Sequence, residues 1–299
     1  MIRSVAVCVL ALLCIPSDAR AQVCATSPVT VQILGSGGPQ TNGERASASY
    51  LLWMDGQARL LVDAGGGAYL RFGQAQARLS DLWLLAVSHL HPDHISHLPA
   101  LLWLSEQRRK EPLPAAGPSG NDVMPAFPTF LESLFGANSG AFRILSGTVG
   151  GAGCGVPLDV SVVDVTNAEP STVLDRQGMT VTALGIPHGN IPALAYRVQA
   201  GDRSIVFSTD QNGTNPAFTT FARGADALVM HLAVAVGAAN NPLHASPAVV
   251  GRVAQEAGVG RLILSHIGLF DLEPAVAEVK KYYTGPLTVG ADLQCTPVR

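Results

Sequence analysis

The apolar and polar positions of this chain fall into one isolated block followed by many short runs. The block is Val5 to Ile15, preceded by Arg3 and followed by the small-x-small triplet Ala19-Arg20-Ala21. A basic start, an apolar centre too short for a membrane span and a small-residue exit predict a secretory signal peptide over residues 1–21. Cys14 follows Leu13 and Cys24 follows Val23, so no lipoprotein box is present. The mature chain is expected to be soluble and periplasmic or secreted, with no membrane partner.

From there the runs are strand-length. Val29 to Leu34 ends in Gly35-Ser36-Gly37-Gly38-Pro39, a strand and a tight turn. No Lys-Ser/Thr follows these glycines, which removes a nucleotide loop. Ala48 to Met54 and Arg59 to Val62 read as a hairpin turning at Asp55-Gly56. Leu82 to Val87 is a buried strand, Ala193 to Val198 and Arg203 to Phe207 pair around Gly201-Asp202, and Arg261 to Ser265 is another strand. Helical spacing occurs over Ile95 to Lys110 (Leu98, Leu101, Leu102, Leu104) and, for a short stretch, over Asp122 to Phe135. A third helix has both ends marked: Ser246 as cap, Pro247 in the first turn, the stripe Val249, Val250, Val253, Ala254 and Ala257, and Gly258 as stop. Residues 111–180 carry the weakest pattern. Pro112, Pro114, Gly117-Pro118-Ser119-Gly120 and Gly147 to Gly155 predict loops, with strands near Val160 to Val165 and Met179 to Leu184. There is no repeat and no long linker. Residues 22–299 are expected to form one layered α/β domain with loops gathered at one edge.

Composition adds two constraints. The formal charge of −3 becomes −4 once Arg3, Asp18 and Arg20 leave, and no basic block exists. That argues against a nucleic-acid partner, whose phosphates draw on clustered Lys and Arg. Of five cysteines, Cys24, Cys154 and Cys295 survive processing. In an oxidising compartment two of them pair, with Cys24–Cys295 the preferred pair.

Candidate chemistry sits at strand ends. His89-Leu90-His91-Pro92-Asp93-His94 places four metal-binding side chains in six positions after the Leu82–Val87 strand. Imidazole and carboxylate are the donors that zinc takes. His188 follows Ile186-Pro187, Asp210 follows Ser204 to Thr209, and His266 follows Leu262 to Ser265. Two zinc ions need about seven protein ligands, with room for a shared hydroxide. The set divides into His89, His91 and His188 on one metal, Asp93, His94 and His266 on the other, and Asp210 bridging. Mn2+ or Fe2+ are alternatives to Zn2+. His97 is left outside the metal shell as a pocket-rim residue. Asp63 is either a turn former or an acceptor behind the site.

These residues resemble the metallo-β-lactamase superfamily, whose HxHxDH signature matches His89 to His94. The resemblance is greatest to the ribonuclease Z and arylsulfatase-like branch. It extends through Gly35-Ser36-Gly37-Gly38 with Arg45, Asp63 to Gly67, Ala195-Tyr196-Arg197, Ser208-Thr209-Asp210, His244-Ala245-Ser246 and Leu264-Ser265-His266. It implies an αββα sandwich with a dinuclear site at one edge. Asp210 separates the chain from the β-lactamases proper, and Pro187-His188-Gly189-Asn190 from glyoxalase-like members.

Two features depart from ribonuclease Z. Only 21 residues separate His188 from Asp210, too few for an extended tRNA-binding arm, and the family's His-Glu pair is represented by Met230-His231, with His231 in the glutamate's place. The expected function is an exported, dinuclear zinc hydrolase of phosphodiester or related ester bonds on a small substrate, using a metal-bridging hydroxide. Asp93 or Asp210 is a proton acceptor, His244 binds an oxyanion or protonates the leaving group, and His231 orients His244. His231 as a packed core histidine and His244 as a helix cap are the alternatives for those two. Lactone or β-lactam hydrolysis and a non-catalytic metal-binding scaffold are the competing readings. A homodimer, the natural substrate and the role of residues 111–180 stay open.

Overall fold

The structure, a computed structural model, describes Cys24 and residues 27–40, 43–103, 109, 111–238 and 241–299. The expected signal peptide, 1–21, lies outside them, as do residues 104–108 and 110 in the later part of the expected Ile95–Lys110 helix.

Two seven-stranded sheets pack face to face. In chain-order numbering, the first runs β14 (Cys295–Pro297), β1 (Val29–Gly35), β2 (Ser49–Met54), β3 (Gln57–Val62), β4 (Leu84–Ala86), β5 (Leu113–Pro118) and β6 (Leu158–Val163). The second runs β13 (Leu287–Val289), β12 (Leu262–Ile267), β11 (Ala227–Leu232), β10 (Arg203–Phe207), β9 (Ile191–Ala200), β8 (Met179–His188) and β7 (Ser171–Arg176). Strand alternation builds the layers. Val31, Ile33, Tyr50, Leu52 and Leu60 point inward against Val181, Leu194, Tyr196, Phe207 and Ile263 of the other sheet.

The opposite faces are buried under helices. Leu51, Trp53, Leu61 and Leu85 pack with α1 (Ala68–Gln74), α3 (Leu98–Leu102) and α4 (Phe127–Phe135). Leu184, Val206, Leu228 and Leu264 pack with α5 (Pro216–Ala222), α6 (Pro247–Ala257) and α7 (Leu272–Tyr282). The result is the expected four-layer αββα sandwich. Among the described residues, no helix is long and apolar enough to cross a membrane.

Both predicted hairpins form, with Met54 opposite Gln57 and Arg203 opposite Ala200. The α6 signals act as read: Ser246 Oγ accepts from the Val249 amide and Gly258 stops the helix at φ 62°. Two expectations need correction. Residues 113–118, expected as loop, form β5, a strand parallel to β4 and β6. Pro114 precedes the register with β4, which begins at Leu85↔Ala115, and Pro118 closes the strand, so neither costs a bond to β4. The helix expected from Ile95 is broken into α2 (Pro92–Ile95) and α3. The His97 amide donates to the Ala64 carbonyl, and Pro99 has no amide proton to continue the ladder.

Cys24 and Cys295 form a disulfide with Cα atoms 5.7 Å apart, and Cys154 is free and exposed.

Candidate metal centre

The strands β3–β4 and β10–β11–β12 run parallel, and β8 runs in the direction of β10. Their carboxyl ends therefore meet at one edge of the sandwich. Asp63 follows β3, His89 follows β4, Asp210 follows β10, and His188 and His266 lie at the ends of β8 and β12. Three of these turns are left-handed at non-glycine residues: Asp63 (φ 59°), Thr209 (φ 48°) and His266 (φ 47°). Each such residue costs about 1–3 kcal/mol, and such strain concentrates at functional sites.

Among the described residues, eight side chains converge there. His89, His91 and His188 form one group, and Asp93, His94, Asp210 and His266 another. Asp210 also joins His188 and His244 in a third group, and the ligand atoms within each group lie within 4.8 Å of one another. The first group closes with His89 Nε2 to His91 Nδ1 at 3.0 Å and His188 Nε2 to His91 Nδ1 at 3.3 Å. In the second, His266 Nε2 is 3.1 Å from both Asp93 Oδ2 and Asp210 Oδ2. His94 Nε2 lies 3.4 Å and His188 Nε2 3.9 Å from that same Asp210 oxygen.

Hydrogen bonds on the far side of the rings decide which nitrogens face inward. The Ser88 hydroxyl gives its proton to Asp63 Oδ2 (2.7 Å), so it accepts from His89 Nδ1–H (2.9 Å). His94 Nδ1–H donates to Asp63 Oδ2 (2.7 Å), and His188 Nδ1–H to the Leu243 carbonyl (2.7 Å). The Nε2 atoms of His89, His94 and His188 are thereby turned toward the cluster. Asp63 is at once turn former and acceptor. Ser88, which links Asp63 to the His89 ring, is not singled out by the sequence pattern, because one hydroxyl between a strand and a histidine carries no periodic or spacing signal.

This donor set fits divalent cations. His94 Nε2 and Asp210 Oδ1 are buried with no hydrogen-bond partner, an expensive arrangement that metal coordination would relieve. Burial pulls His94 and His266 down, but Asp210 and its neighbours outweigh it, raising His94 well above its ordinary range and His266 to about 9. Burial acts on Asp210 in the opposite sense and is outweighed by His266 and His94, which hold the carboxylate well below its usual range. Burial pushes His188 and His231 down to about 4 and His244 to about 3.

Glycine makes room for this packing. A Cβ on Gly38 would lie 2.7 Å from the His266 ring, and one on Gly65 would lie 2.0 Å from the Asp93 carbonyl oxygen.

The remaining candidates divide. His244 Nδ1 is 3.8 Å from Asp210 Oδ2. His231 is buried, with its ring centroid 5.5 Å from that of His244. Its contacts run to backbone: Nδ1–H donates to the Thr209 carbonyl (2.9 Å), and Nε2 accepts from the Ala245 amide (3.0 Å). It ties the turn that presents Asp210 to the loop that presents His244. His97 accepts at Nδ1 from the Gly67 amide (3.1 Å) at the start of α1 and stands outside the cluster.

A sandwich of this build with a His/Asp cluster at its edge is compatible with a divalent metal site, and the relatives make it a metal-dependent hydrolase. The chain belongs to the β-lactamase superfamily, in its ribonuclease Z branch: the model of the β-lactamase superfamily domain matches residues 58–267. A ribonuclease Z of Mycobacterium sp. (strain KMS) is 32% identical, covering 80% of this chain and 84% of its own length. A ribonuclease Z of Mycobacterium bovis (strain BCG / Pasteur 1173P2) is 29% identical over 88% of this chain and 96% of its own. In structure, human tRNase Z, short form, superposes with a TM-score of 0.71 at 19% identity, covering 90% of this chain and 99% of that one.

Proposed function

We propose that this chain is an exported, dinuclear zinc-dependent hydrolase of phosphodiester or related ester bonds in a small substrate. The observation that carries this reading is the convergence of two groups of donors on Asp210, with Nε2 of His89, His94 and His188 turned inward. His89, His91 and His188 would hold one cation and Asp93, His94 and His266 the other, with Asp210 between them. Cations bound there supply Lewis acidity toward the ester oxygen and lower the pKa of water.

The chain's own residues complete the chemistry. Hydrolysis joins the oxygen of water to the electrophilic centre and breaks the ester bond, the departing oxygen keeping the electron pair. Asp93 or Asp210 accepts the proton given up by water. Burial keeps His244 neutral, which suits it to donate a hydrogen bond to the oxygen that gains charge. Of its two expected roles, oxyanion binding is therefore the one favoured. His231 acts through the Thr209 and Ala245 backbone in placing Asp210 and His244.

The mycobacterial relatives are ribonucleases Z, but several features favour a smaller substrate here. The residues between His188 and Asp210 are taken up by β9, β10 and a tight turn at Gly201-Asp202. The whole chain has a net charge of −3. Residues 1–21 have the pattern of a signal peptide.

The test is a substrate panel on the mature protein with metal analysis: bis-p-nitrophenyl phosphate, an aryl sulfate, a lactone and a chromogenic cephalosporin. Turnover of the diester, lost with a chelator and restored by zinc, is expected. His91→Ala and Asp210→Ala should lose metal and turnover, and His244→Ala should lose turnover while keeping metal. Two metals per chain with no turnover of any substrate would instead identify a binding scaffold.

A further inference from the structure

His266 is held differently from other rings of the cluster. His89, His94 and His188 each have the outer nitrogen fixed by a hydrogen bond. The outer nitrogen of His266, Nδ1, is buried and has no hydrogen-bond partner among the described residues. Its backbone is left-handed at φ 47°, a conformation that persists only where the surroundings impose it. Backbone contacts and packing therefore keep this ring 3.1 Å from Asp93 Oδ2 and Asp210 Oδ2.

The loop Ser36–Gly38 supplies both. The Ile267 amide donates to the Ser36 carbonyl (2.8 Å), which fixes the chain just after His266. Gly37 forms a bridge with Ile267, and Gly38 lies so close to the ring that a Cβ there would be 2.7 Å from Cε1. The loop is in turn held by Asp292. Its Oδ1 accepts from the Ser36 amide (3.0 Å) and hydroxyl (2.8 Å). Its Oδ2 accepts from the Ala46 amide (2.8 Å) and from Arg71 Nε (3.2 Å). The Asp292 side chain is 9% exposed, and bonds so far out of water are strong and costly to lose. The segment that carries Asp292 has its own anchors besides the disulfide: the Gly290 amide donates to the Leu264 carbonyl and the Leu293 amide to the Ile33 carbonyl, both at 2.7 Å.

We infer that Asp292 is a positioning residue for the metal centre: it fixes the Ser36–Gly38 loop, and that loop holds the His266 ring toward Asp93 and Asp210. As a statement about metal, the inference rests on the two-cation reading. As a statement about the His266 ring, it stands on the hydrogen bonds alone.

The test compares two substitutions in the full-length mature protein. Asp292→Asn leaves one acceptor oxygen for two sets of donors, so either Ser36 or the Ala46–Arg71 pair loses its partner. Arg71→Ala removes the ion pair and leaves both Ser36 bonds. In metal-free protein the His266 ring signal in the NMR spectrum, assigned by its loss in His266→Gln, should shift in Asp292→Asn and stay in place in Arg71→Ala. In a zinc competition titration, Asp292→Asn should bind one of its two ions about 10–100-fold more weakly, with Arg71→Ala like the wild type. Ser36→Ala, which removes one Asp292 bond with little change in volume, should move both readouts in the same direction and carries the test if Asp292→Asn does not fold. An unshifted His266 signal in the folded variant would overturn the inference. Equal changes in Arg71→Ala would do so too, by showing a general loosening. A shifted signal together with no zinc uptake by the wild type sinks the two-cation reading and leaves Asp292 as the anchor of His266. Two zinc ions in the wild type with both affinities kept in Asp292→Asn does the reverse.

Discussion

Ser88 shows how much of the centre depends on groups that would touch no metal. Its hydroxyl can accept from His89 only because Asp63 takes its own proton. Ser88→Ala keeps the backbone bond from residue 88 to Asp63 but releases the His89 ring. Metal affinity should fall by about 10–100-fold, with the circular dichroism spectrum unchanged; an unaltered zinc affinity in a competition titration would refute this role. The raised His266 makes a second prediction. Its pKa of about 9 in the metal-free protein exceeds the ordinary 6.5. Its contribution to stability is therefore complete below about pH 6.5 and lost as pH rises through about 9. Chelator-treated protein should lose thermal stability across that window. Metal-loaded protein, in which coordination displaces the proton, should show a flatter profile. Parallel profiles in melting experiments would contradict the assignment.

Among the strands and helices, the strand ends matter most. β4 has only three residues, Leu84 to Ala86, yet its position between β3 and β5 delivers His89 to the edge where β8, β10 and β12 also end. Helix α6 follows the His244 loop directly, and its cap is Ser246. Ser246→Ala should cost about 1 kcal/mol in chemical denaturation. An effect near zero would mean that solvent replaces the cap. The elements that could be read in the sequence were those with local signals. Asp55-Gly56 turned a hairpin, and Ser246 and Gly258 bounded a helix. β5 was hidden because its prolines argue against a strand, and only the register with β4 and β6 shows why they are tolerated. The break after Ile95 was hidden because the acceptor of the His97 amide is the Ala64 carbonyl, far back along the chain.

For the whole molecule, the Cys24–Cys295 disulfide joins residues 271 positions apart. It links the segment before β1 to β14, which pairs with β1 at the edge of the first sheet. A cross-link over so long a loop restricts the unfolded chain strongly, and its loss costs about 2–5 kcal/mol. Replacing both cysteines with serine should lower the unfolding free energy by that amount while leaving metal content unchanged. Loss of zinc in the folded variant would show instead that the chain ends support the site directly.

The His/Asp residues that cluster at the sheet edge and the layered class of the fold are legible in the order of residues alone. Histidine and aspartate are rare enough at strand ends to stand out, and strand alternation is written locally. Which nitrogen of each ring faces the cluster and which backbone groups His231 bonds emerge only in the folded chain. Those features depend on the Leu243 and Thr209 carbonyls, the Ser88 hydroxyl and loops that follow separate strands. Their partners are chosen by packing rather than by neighbours in the chain.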